Sequence, residues 1–256
     1  MQVNFERINA IAKITLDYPE RLNALGPEMW GMLHERLIQA LDDTAVGVII
    51  ITGTGRAFSA GGDISALVKP PQESSDRKLY DTIAATTRLL LRGEKPCIAM
   101  INGDVFGAGA GVVASCDLAI AADHVRFGYP EIKIGLLSSI TSISLIRSVP
   151  KKTAYRWALL GETVTAADAL QAGMVNQLVP LDSLEAVTFA LAERLCALSR
   201  TSLARAKDTL VHVQEMTYDE AVEYARAQWL LVRQSEDCKE GLRAFLERRP
   251  PVWSTG

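Results

Sequence analysis

Hydrophobic and polar positions alternate along two stretches near the start of the chain and then give way to continuous apolar runs. Residues 3–8 and 11–16 alternate, which predicts two paired strands. The continuous runs predict strands buried on both faces of a sheet, over residues 46–52, 96–101 and 118–122. Apolar spacing near 3.6 predicts helices between them, over residues 27–41, 76–92 and a small-residue stretch into Ser115. Alternating strands and helices predict an α/β fold with crossover connections.

From residue 138 onward the pattern is almost entirely helical. Helices are predicted over residues 140–149, 152–160, 166–172, 183–198, 201–215, 218–234 and 237–247, with one short strand over 175–179. This shift predicts an α/β core over residues 1–195 and a helical region over 196–256. No low-complexity linker separates the two, so we expect one globule whose helical extension serves assembly.

Composition and charge narrow the classes of function. The 256 residues include 27 Lys and Arg against 30 Asp and Glu, a net charge of −3 that leaves no broad positive field for nucleic acid. The four cysteines stand apart without a Cys-x-x-Cys pair, and no histidine has a ligand-spaced neighbour, so neither a disulfide scaffold nor a metal site is expected. Because the N-terminus lacks an apolar signal core and no run reads as a membrane span, we expect a soluble cytoplasmic protein.

A glycine-rich segment at residues 101–111, Ile-Asn-Gly-Asp-Val-Phe-Gly-Ala-Gly-Ala-Gly, leaves a predicted strand and enters a predicted helix. A dinucleotide-binding fingerprint, Gly-x-Gly-x-x-Gly, would need its third glycine at position 112, but the chain has Gly111 followed by Val112. A tightly packed small-residue helix is a second interpretation. The third is an oxyanion site, because the first N–H groups of a helix are unpaired and carry a partial positive charge. Such a site needs a second donor, and the loop at 58–64, Phe-Ser-Ala-Gly-Gly-Asp-Ile, offers one.

Further motifs stand in a fixed order around these two segments. They are Asn-Ala-Leu at 23–25, Lys-Pro-Cys-Ile-Ala-Met-Ile-Asn-Gly at 95–103, Cys-Asp at 116–117, Phe-Gly-Tyr-Pro-Glu at 127–131 and Gly-Leu-Arg-Ala-Phe-Leu-Glu-Arg-Arg at 241–249. Over almost its whole length the chain resembles the crotonase (enoyl-CoA hydratase/isomerase) superfamily. The resemblance implies a spiral of ββα units that forms the catalytic core, a C-terminal helical trimerisation region, and assembly as a homotrimer or homohexamer. It also implies an acyl-CoA thioester as the ligand and no further cofactor.

By position, the resemblance assigns the two oxyanion donors to the backbone N–H groups of Gly62 and Ala108. The family's hydratases use two glutamates, but this chain has only Glu131, in the Pro-Glu motif, and has Gly111 at the position of the other. Moving a double bond needs only one base, whereas the two carboxylates of a hydratase hold one water. The single carboxylate by itself favours isomerisation, or hydration with one carboxylate, but hydratases are more frequent in the family. The resemblance on that ground implies hydration of a 2-enoyl-CoA with Glu131 as acid and base. Double-bond isomerisation and a non-catalytic acyl-CoA-binding scaffold are the alternatives.

Coenzyme A binding is also assigned by the resemblance. The adenine is expected against the loop formed by Ala60, Gly61, Gly62, Asp63 and Ile64, the pyrophosphate near Arg21, and the 3′-phosphate near Arg248. Residues 64–80 are expected to shape the acyl pocket, with a mobile polar stretch at 72–75. Residues 137–142, Leu-Ser-Ser-Ile-Thr-Ser, replace a glycine-rich run of the family. Their hydroxyls either hold a water or a polar acyl group, or cap the next helix.

Overall fold

Two sheets surrounded by helices make up the structure, a computed structural model that describes residues 1–68, 70 and 72–254. The strands are β1 (Gln2–Ile8), β2 (Ile11–Asp17), β3 (Val48–Gly53), β4 (Ala57–Ser59), β5 (Cys97–Ile101), β6 (Asp104–Phe106), β7 (Leu118–Ala122), β8 (Arg126–Gly128), β9 (Thr163–Thr165) and β10 (Gln177–Val179). The helices are α1 (Pro27–Asp42), α2 (Ile64–Leu67), α3 (Glu73–Arg92), α4 (Ala108–Ser115), α5 (Ser139–Ser148), α6 (Lys151–Leu160), α7 (Ala166–Gln171), α8 (Leu181–Cys196), α9 (Arg200–His212), α10 (Tyr218–Gln234) and α11 (Glu236–Glu247).

The larger sheet has the strand order β1-β2-β3-β5-β7-β10. Its first two strands form an antiparallel hairpin that turns at Asn9, whose φ of +55° is one that asparagine tolerates. The remaining neighbours are parallel. Ile49, Ile50 and Ile51 are fully buried, as expected for a central strand covered on both faces. The strands predicted from the alternating and continuous apolar runs are therefore confirmed.

The smaller sheet has the order β4-β6-β8-β9 and was not predicted. The expected loop at 58–64 begins within β4, and the glycine-rich segment at 101–111 contains β6. Each of these strands has only three residues, too short for an alternating pattern to be visible. The helix predicted from residue 76 begins earlier, at Glu73, and has acidic residues in its first turn, whereas the mobility expected for residues 72–75 stays a prediction. Residues 69 and 71 of the expected acyl-pocket segment lie outside the described residues.

The chain alternates between the two sheets, and this positions the site. β3, β5 and β7 lie in the larger sheet, and each is followed by a short strand, β4, β6 or β8, in the smaller one. A helix follows each pair, so the core is a succession of ββα units, as the family resemblance implies. Since β4, β6 and β8 are parallel neighbours, their carboxyl ends meet at one edge of the smaller sheet. Loops that leave these ends are brought together there.

The helical region after β10 is joined to the core by an ion pair whose lysine is buried. Lys207, on α9, is 7% exposed, and its Nζ lies 2.7 Å from Asp117 Oδ2. Burial raises the pKa of Asp117, although Lys207 opposes that shift. The predicted helices from 140 to 247 are confirmed to within a few residues at their ends. The division at residue 195 stays a prediction, and residues 255 and 256 lie outside the described part. No helix in that part is long and apolar enough to cross a membrane.

Candidate active site

A cavity of about 280 Å³ lies where the loops after β4, β6 and β8 meet. Those loops place Gly62, Ala108 and Glu131 in its wall. The rest of the lining is mainly apolar with a few hydroxyl groups, and consists of Leu25, Gly26, Pro27, Trp30, Asp63, Ile64, Ala66, Leu79, Ile83, Leu136, Leu137, Ser138, Ser139, Ile140 and Thr141. An apolar cavity with a few converging polar groups is the usual form of a small-molecule site.

Larger grooves exist elsewhere, including one of about 470 Å³ between α3, α5 and α9. Among the described residues, the one carboxylate of that groove is paired with two of its arginines: Glu215 lies 2.7 Å from Arg147 and 3.6 Å from Arg92. We place the site at the smaller cavity, because Gly62, Ala108 and Glu131 converge there from three separate loops.

Two backbone N–H groups at the cavity have no acceptor among the residues that the structure describes. Ala108 is the first residue of α4, so its N–H has no partner within the helix. The N–H of Gly62, after β4, is likewise unpaired. The two loops are in close contact, since a Cβ atom built on Gly61 would lie 3.5 Å from Ala108 N. The positive end of the α4 dipole adds to the attraction for a negatively charged oxygen.

The loop that carries Gly62 is held by a segment near the N-terminus. Leu25 N donates to Gly61 O (2.7 Å), and Ser59 Oγ donates to Asn23 O (2.8 Å). Asn23 is fully buried, has φ of +56°, and donates from Nδ2 to Ala57 O (2.8 Å). Sequence reasoning did not assign these positioning roles. The Asn-Ala-Leu motif at 23–25 was the only signal for them.

Glu131 lies in a 3-10 helix, Pro130–Ile134, directly after β8 and Tyr129. Its side chain is placed by two neighbours. Ser138 Oγ donates to Glu131 Oε2 (2.7 Å), and a Cβ atom built on Gly107 would lie 2.6 Å from Oε1. Gly107 also has φ of +49°, so both its backbone and the carboxylate exclude a larger residue there. Burial, and then the charge of Glu131, raise the pKa of Tyr129 well above its usual range.

Gly111 lies one turn further along α4, at the position where the resemblance expects the second glutamate of hydratases. A Cβ atom built there would lie 2.3 Å from Thr141 Cγ2 and 2.9 Å from Thr141 Cβ. Thr141 therefore occupies the space into which a side chain at 111 would extend. The cavity has no second carboxylate at this place.

The residues predicted to bind coenzyme A lie around the same loop, with one exception. Asp63 caps α2 through Ser65, and the hydrogen bond from the Ser65 hydroxyl (2.6 Å) lowers the pKa of Asp63. The charge of Arg21 contributes to the same lowering, so Arg21 lies on this side of the site. Arg248 is exposed just after α11 and does not line the cavity of its own chain.

The remaining loop residues that were predicted to bind coenzyme A differ in exposure. Ala60 N donates to Leu22 O (2.8 Å), which fixes the start of the loop, and Gly61 is buried. Ile64 is 46% exposed at the mouth of the cavity. In the described part of the chain, no three His, Cys, Asp or Glu side chains are grouped so as to hold a metal ion.

Comparison with known proteins places the chain in a family. A family model described as enoyl-CoA hydratase/isomerase matches residues 6–256. The chain belongs to the enoyl-CoA hydratase/isomerase family. Among its relatives, the mitochondrial enoyl-CoA hydratase domain-containing protein 3 of Danio rerio is 34% identical over 249 residues, covering 97% of this chain and 86% of the relative. The 2,3-dehydroadipyl-CoA hydratase of Escherichia coli is 34% identical over 246 residues, covering 96% and 95%.

Solved structures of the enoyl-CoA hydratase/isomerase family have the same fold as this chain. An enoyl-CoA hydratase from Mycobacterium smegmatis superposes with a TM-score of 0.95 at 29% identity, covering 99% of both chains. The human enoyl-CoA hydratase domain-containing protein 3 also gives 0.95 at 29% identity, covering 99% of this chain and 100% of the other. The α/β fold expected from the resemblance is thereby confirmed. The roles of Gly62, Ala108 and Glu131 stay predictions that the geometry supports.

Proposed function

We propose that this chain adds water to the double bond of a 2-enoyl-CoA thioester. The observation that carries the proposal is the meeting, in one cavity, of the Glu131 carboxylate and two backbone N–H groups that have no acceptor among the described residues. The N–H groups of Gly62 and Ala108 bind the thioester oxygen, and Glu131 transfers the proton. Hydratase names among relatives at 34% identity support this choice.

The two N–H groups act on the charge that develops during addition. When an oxygen adds to the β-carbon, electrons move through the former double bond onto the thioester oxygen. Fixed donors at Gly62 and Ala108 stabilise that negative charge at no cost of reorganisation. Loss of one such donor typically raises the barrier by ~3 kcal/mol.

Glu131 then completes the addition with a single carboxylate. It accepts a proton from the water whose oxygen bonds to the β-carbon, and it returns a proton to the α-carbon as the enolate collapses. The hydrogen bond from Ser138 to Oε2 leaves Oε1 for this transfer. A general acid and base in such a position contributes roughly 10² to 10⁴ in rate.

Isomerisation of the double bond is the second candidate, because the contact between Gly111 and Thr141 leaves one carboxylate at this place. In that reaction Glu131 removes a proton from the α-carbon of a 3-enoyl-CoA and returns it to the γ-carbon. The same two N–H donors stabilise the intermediate enolate. No water takes part.

The proposal extends to coenzyme A binding and assembly. Arg21 and the loop from Ala60 to Ile64 contact the coenzyme, and no further cofactor takes part. Arg248 contacts the 3′-phosphate of a coenzyme A that is bound to its own subunit or to a neighbouring subunit. Large apolar side chains are exposed on α10 and α11, with Trp229 at 62% and Phe245 at 81%, and they support a homotrimer or homohexamer. A cytoplasmic location stays a prediction.

The test uses the purified full-length chain and two thioesters. Loss of the conjugated-thioester absorbance of crotonyl-CoA measures hydration, and its appearance from a 3-enoyl-CoA measures isomerisation. We expect hydration, and we expect Glu131→Gln to reduce it by roughly 10² to 10⁴ while acyl-CoA binding persists. Glu193→Gln, an exposed change on α8, is the matched control. Isomerisation alone favours the second candidate, and binding of a thioester panel without turnover indicates a scaffold.

A further inference from the structure

Thr141 combines burial in the site with an unused hydroxyl. It is 7% exposed, lines the same cavity as Glu131, and packs its Cγ2 against Gly111. Its Oγ1 is buried and has no hydrogen-bond partner in the described part of the chain. Leaving a buried hydroxyl unsatisfied is costly, so such a group in a native protein calls for a partner that the protein alone does not supply.

The first turn of α5, which contains Thr141, has no side-chain cap. Ser138 stands at the N-cap position, but its hydroxyl accepts no hydrogen bond from the helix and instead donates to Glu131. The N–H groups of Ile140 and Thr141 consequently have no acceptor among the described residues. Unpaired N–H groups at a helix start favour an electron-rich atom. The start of α5, which lines the cavity, therefore has several polar groups without a partner among the described residues.

Glu131 and Thr141 contact the same helix start at two glycines that are four residues apart. Glu131 Oε1 lies against Gly107, and Thr141 lies against Gly111, whose N–H donates to Gly107 O (3.0 Å). Both residues also line the same cavity, so the carboxylate and the threonine side chain belong to one wall of the site.

We propose that Thr141 Oγ1 and Glu131 together hold the water that is added to the substrate, an inference that rests on the proposed hydratase function. Asp63, the other carboxylate of the cavity, is occupied by Ser65 and α2. Thr141 thereby takes the place of the second carboxylate that Gly111 does not provide. It is a water-positioning residue, since a threonine hydroxyl takes no proton at neutral pH.

The hydrogen bonds and protons balance in this arrangement. The water donates one hydrogen to Glu131 and the other to Thr141 Oγ1, which has two acceptor lone pairs. An oxygen lone pair is then directed at the β-carbon. As the C–O bond forms, Glu131 takes the first proton and delivers a proton to the α-carbon. The second hydrogen stays on the oxygen as the product hydroxyl, and Thr141 is unchanged.

Substituting valine or serine at position 141 distinguishes the effect of the hydroxyl group from that of the methyl group. Thr141→Val keeps the shape and removes the hydroxyl, and we expect kcat for hydration of crotonyl-CoA to fall about 10-fold to 100-fold because the water is no longer oriented. KM for the thioester stays within about twofold, since the thioester contacts are elsewhere. Thr141→Ser keeps the hydroxyl and recovers most of the lost rate. Isomerisation of a 3-enoyl-CoA, which needs no water, changes less than hydration in every variant.

Each outcome decides the assignment of Thr141. If wild type hydrates crotonyl-CoA and Thr141→Val matches it within about twofold, this inference is wrong while the hydratase proposal stands. If wild type does not hydrate any enoyl-CoA, both fail. A thermal unfolding curve establishes that Thr141→Val is folded. If it is not, Thr141→Ala replaces it, and normal hydration by Thr141→Ala overturns the role of the hydroxyl.

Discussion

Ser138 Oγ donates a hydrogen bond of 2.7 Å to Glu131 Oε2, although Ser138 stands where a serine usually caps the following helix. The hydroxyl therefore positions the carboxylate and leaves the start of α5 uncapped. Between the two interpretations of the hydroxyl-rich stretch at 137–142, this contact contradicts capping for Ser138. It links the stretch directly to the predicted acid and base.

Ser138→Ala tests whether this contact matters for turnover. We expect kcat to fall about tenfold, because a hydrogen bond to a charged group contributes roughly 1.5–3 kcal/mol and the carboxylate loses its fixed orientation. Acyl-CoA binding, measured by titration calorimetry, stays unchanged. Ser139→Ala is the control, since the adjacent hydroxyl makes no hydrogen bond to Glu131 in the described structure. Equal rates for Ser138→Ala and wild type would remove the positioning role.

Ala108→Pro tests the oxyanion donor by removing a single N–H. Proline is well tolerated at the first position of a helix, which is where Ala108 stands in α4. We expect kcat to fall roughly 10² to 10³, the usual effect of losing one oxyanion donor. Ala108→Gly keeps the N–H and retains most of the activity. Steady-state kinetics measure both, and a folded, fully active Ala108→Pro protein would contradict the assignment.

Gly111→Ala tests the contact between α4 and α5. The added Cβ atom would lie 2.3 Å from Thr141 Cγ2, so we expect unfolding free energy to fall by about 1–3 kcal/mol, as for other overpacked cores. Adding Thr141→Gly removes the clashing atoms, and urea unfolding should then show a non-additive recovery.

Gly31→Ala is the matched control for this change. Gly31 lies in α1 with nothing within 4 Å of an added Cβ atom, so alanine there raises stability by up to about 1 kcal/mol. An equal gain in stability at positions 31 and 111 would show that helix propensity, and not packing against Thr141, decides the result.

The cysteines are predicted to differ in reactivity with pH. Burial raises the pKa of Cys97 to about 11, so at pH 8 only about one molecule in a thousand carries the reactive thiolate. Burial also raises the pKa of Cys116 well above its ordinary value. We expect iodoacetamide at pH 8 to modify the partly exposed Cys238 first, and Cys97 and Cys116 only in urea. Peptide mass spectrometry measures this order, and rapid native labelling of Cys97 would contradict it.

Elements with a strong periodic or continuous apolar pattern were predicted well. The helix at 218–234 and the strand at 118–122 have the predicted bounds. Long amphipathic and β-branched segments carry their own period, and that period reflects which face is buried. The short strands β4, β6, β8 and β9 have three residues each and no visible period. They exist because neighbouring strands supply hydrogen bonds, and only the folded chain brings those neighbours together.

The candidate site likewise has features that the sequence predicts and features that only the folded structure shows. The amino-acid sequence was sufficient to name Gly62, Ala108 and Glu131, because ordered motifs can be compared with a family without coordinates. It did not show that Ser138 bonds to Glu131 or that Thr141 occupies the space beside Gly111. Those contacts join residues on separate elements, and side-chain contact depends on how α4 and α5 pack. Local sequence determines whether a segment forms a helix or a strand, whereas the packing of helices and strands decides which groups meet in the cavity.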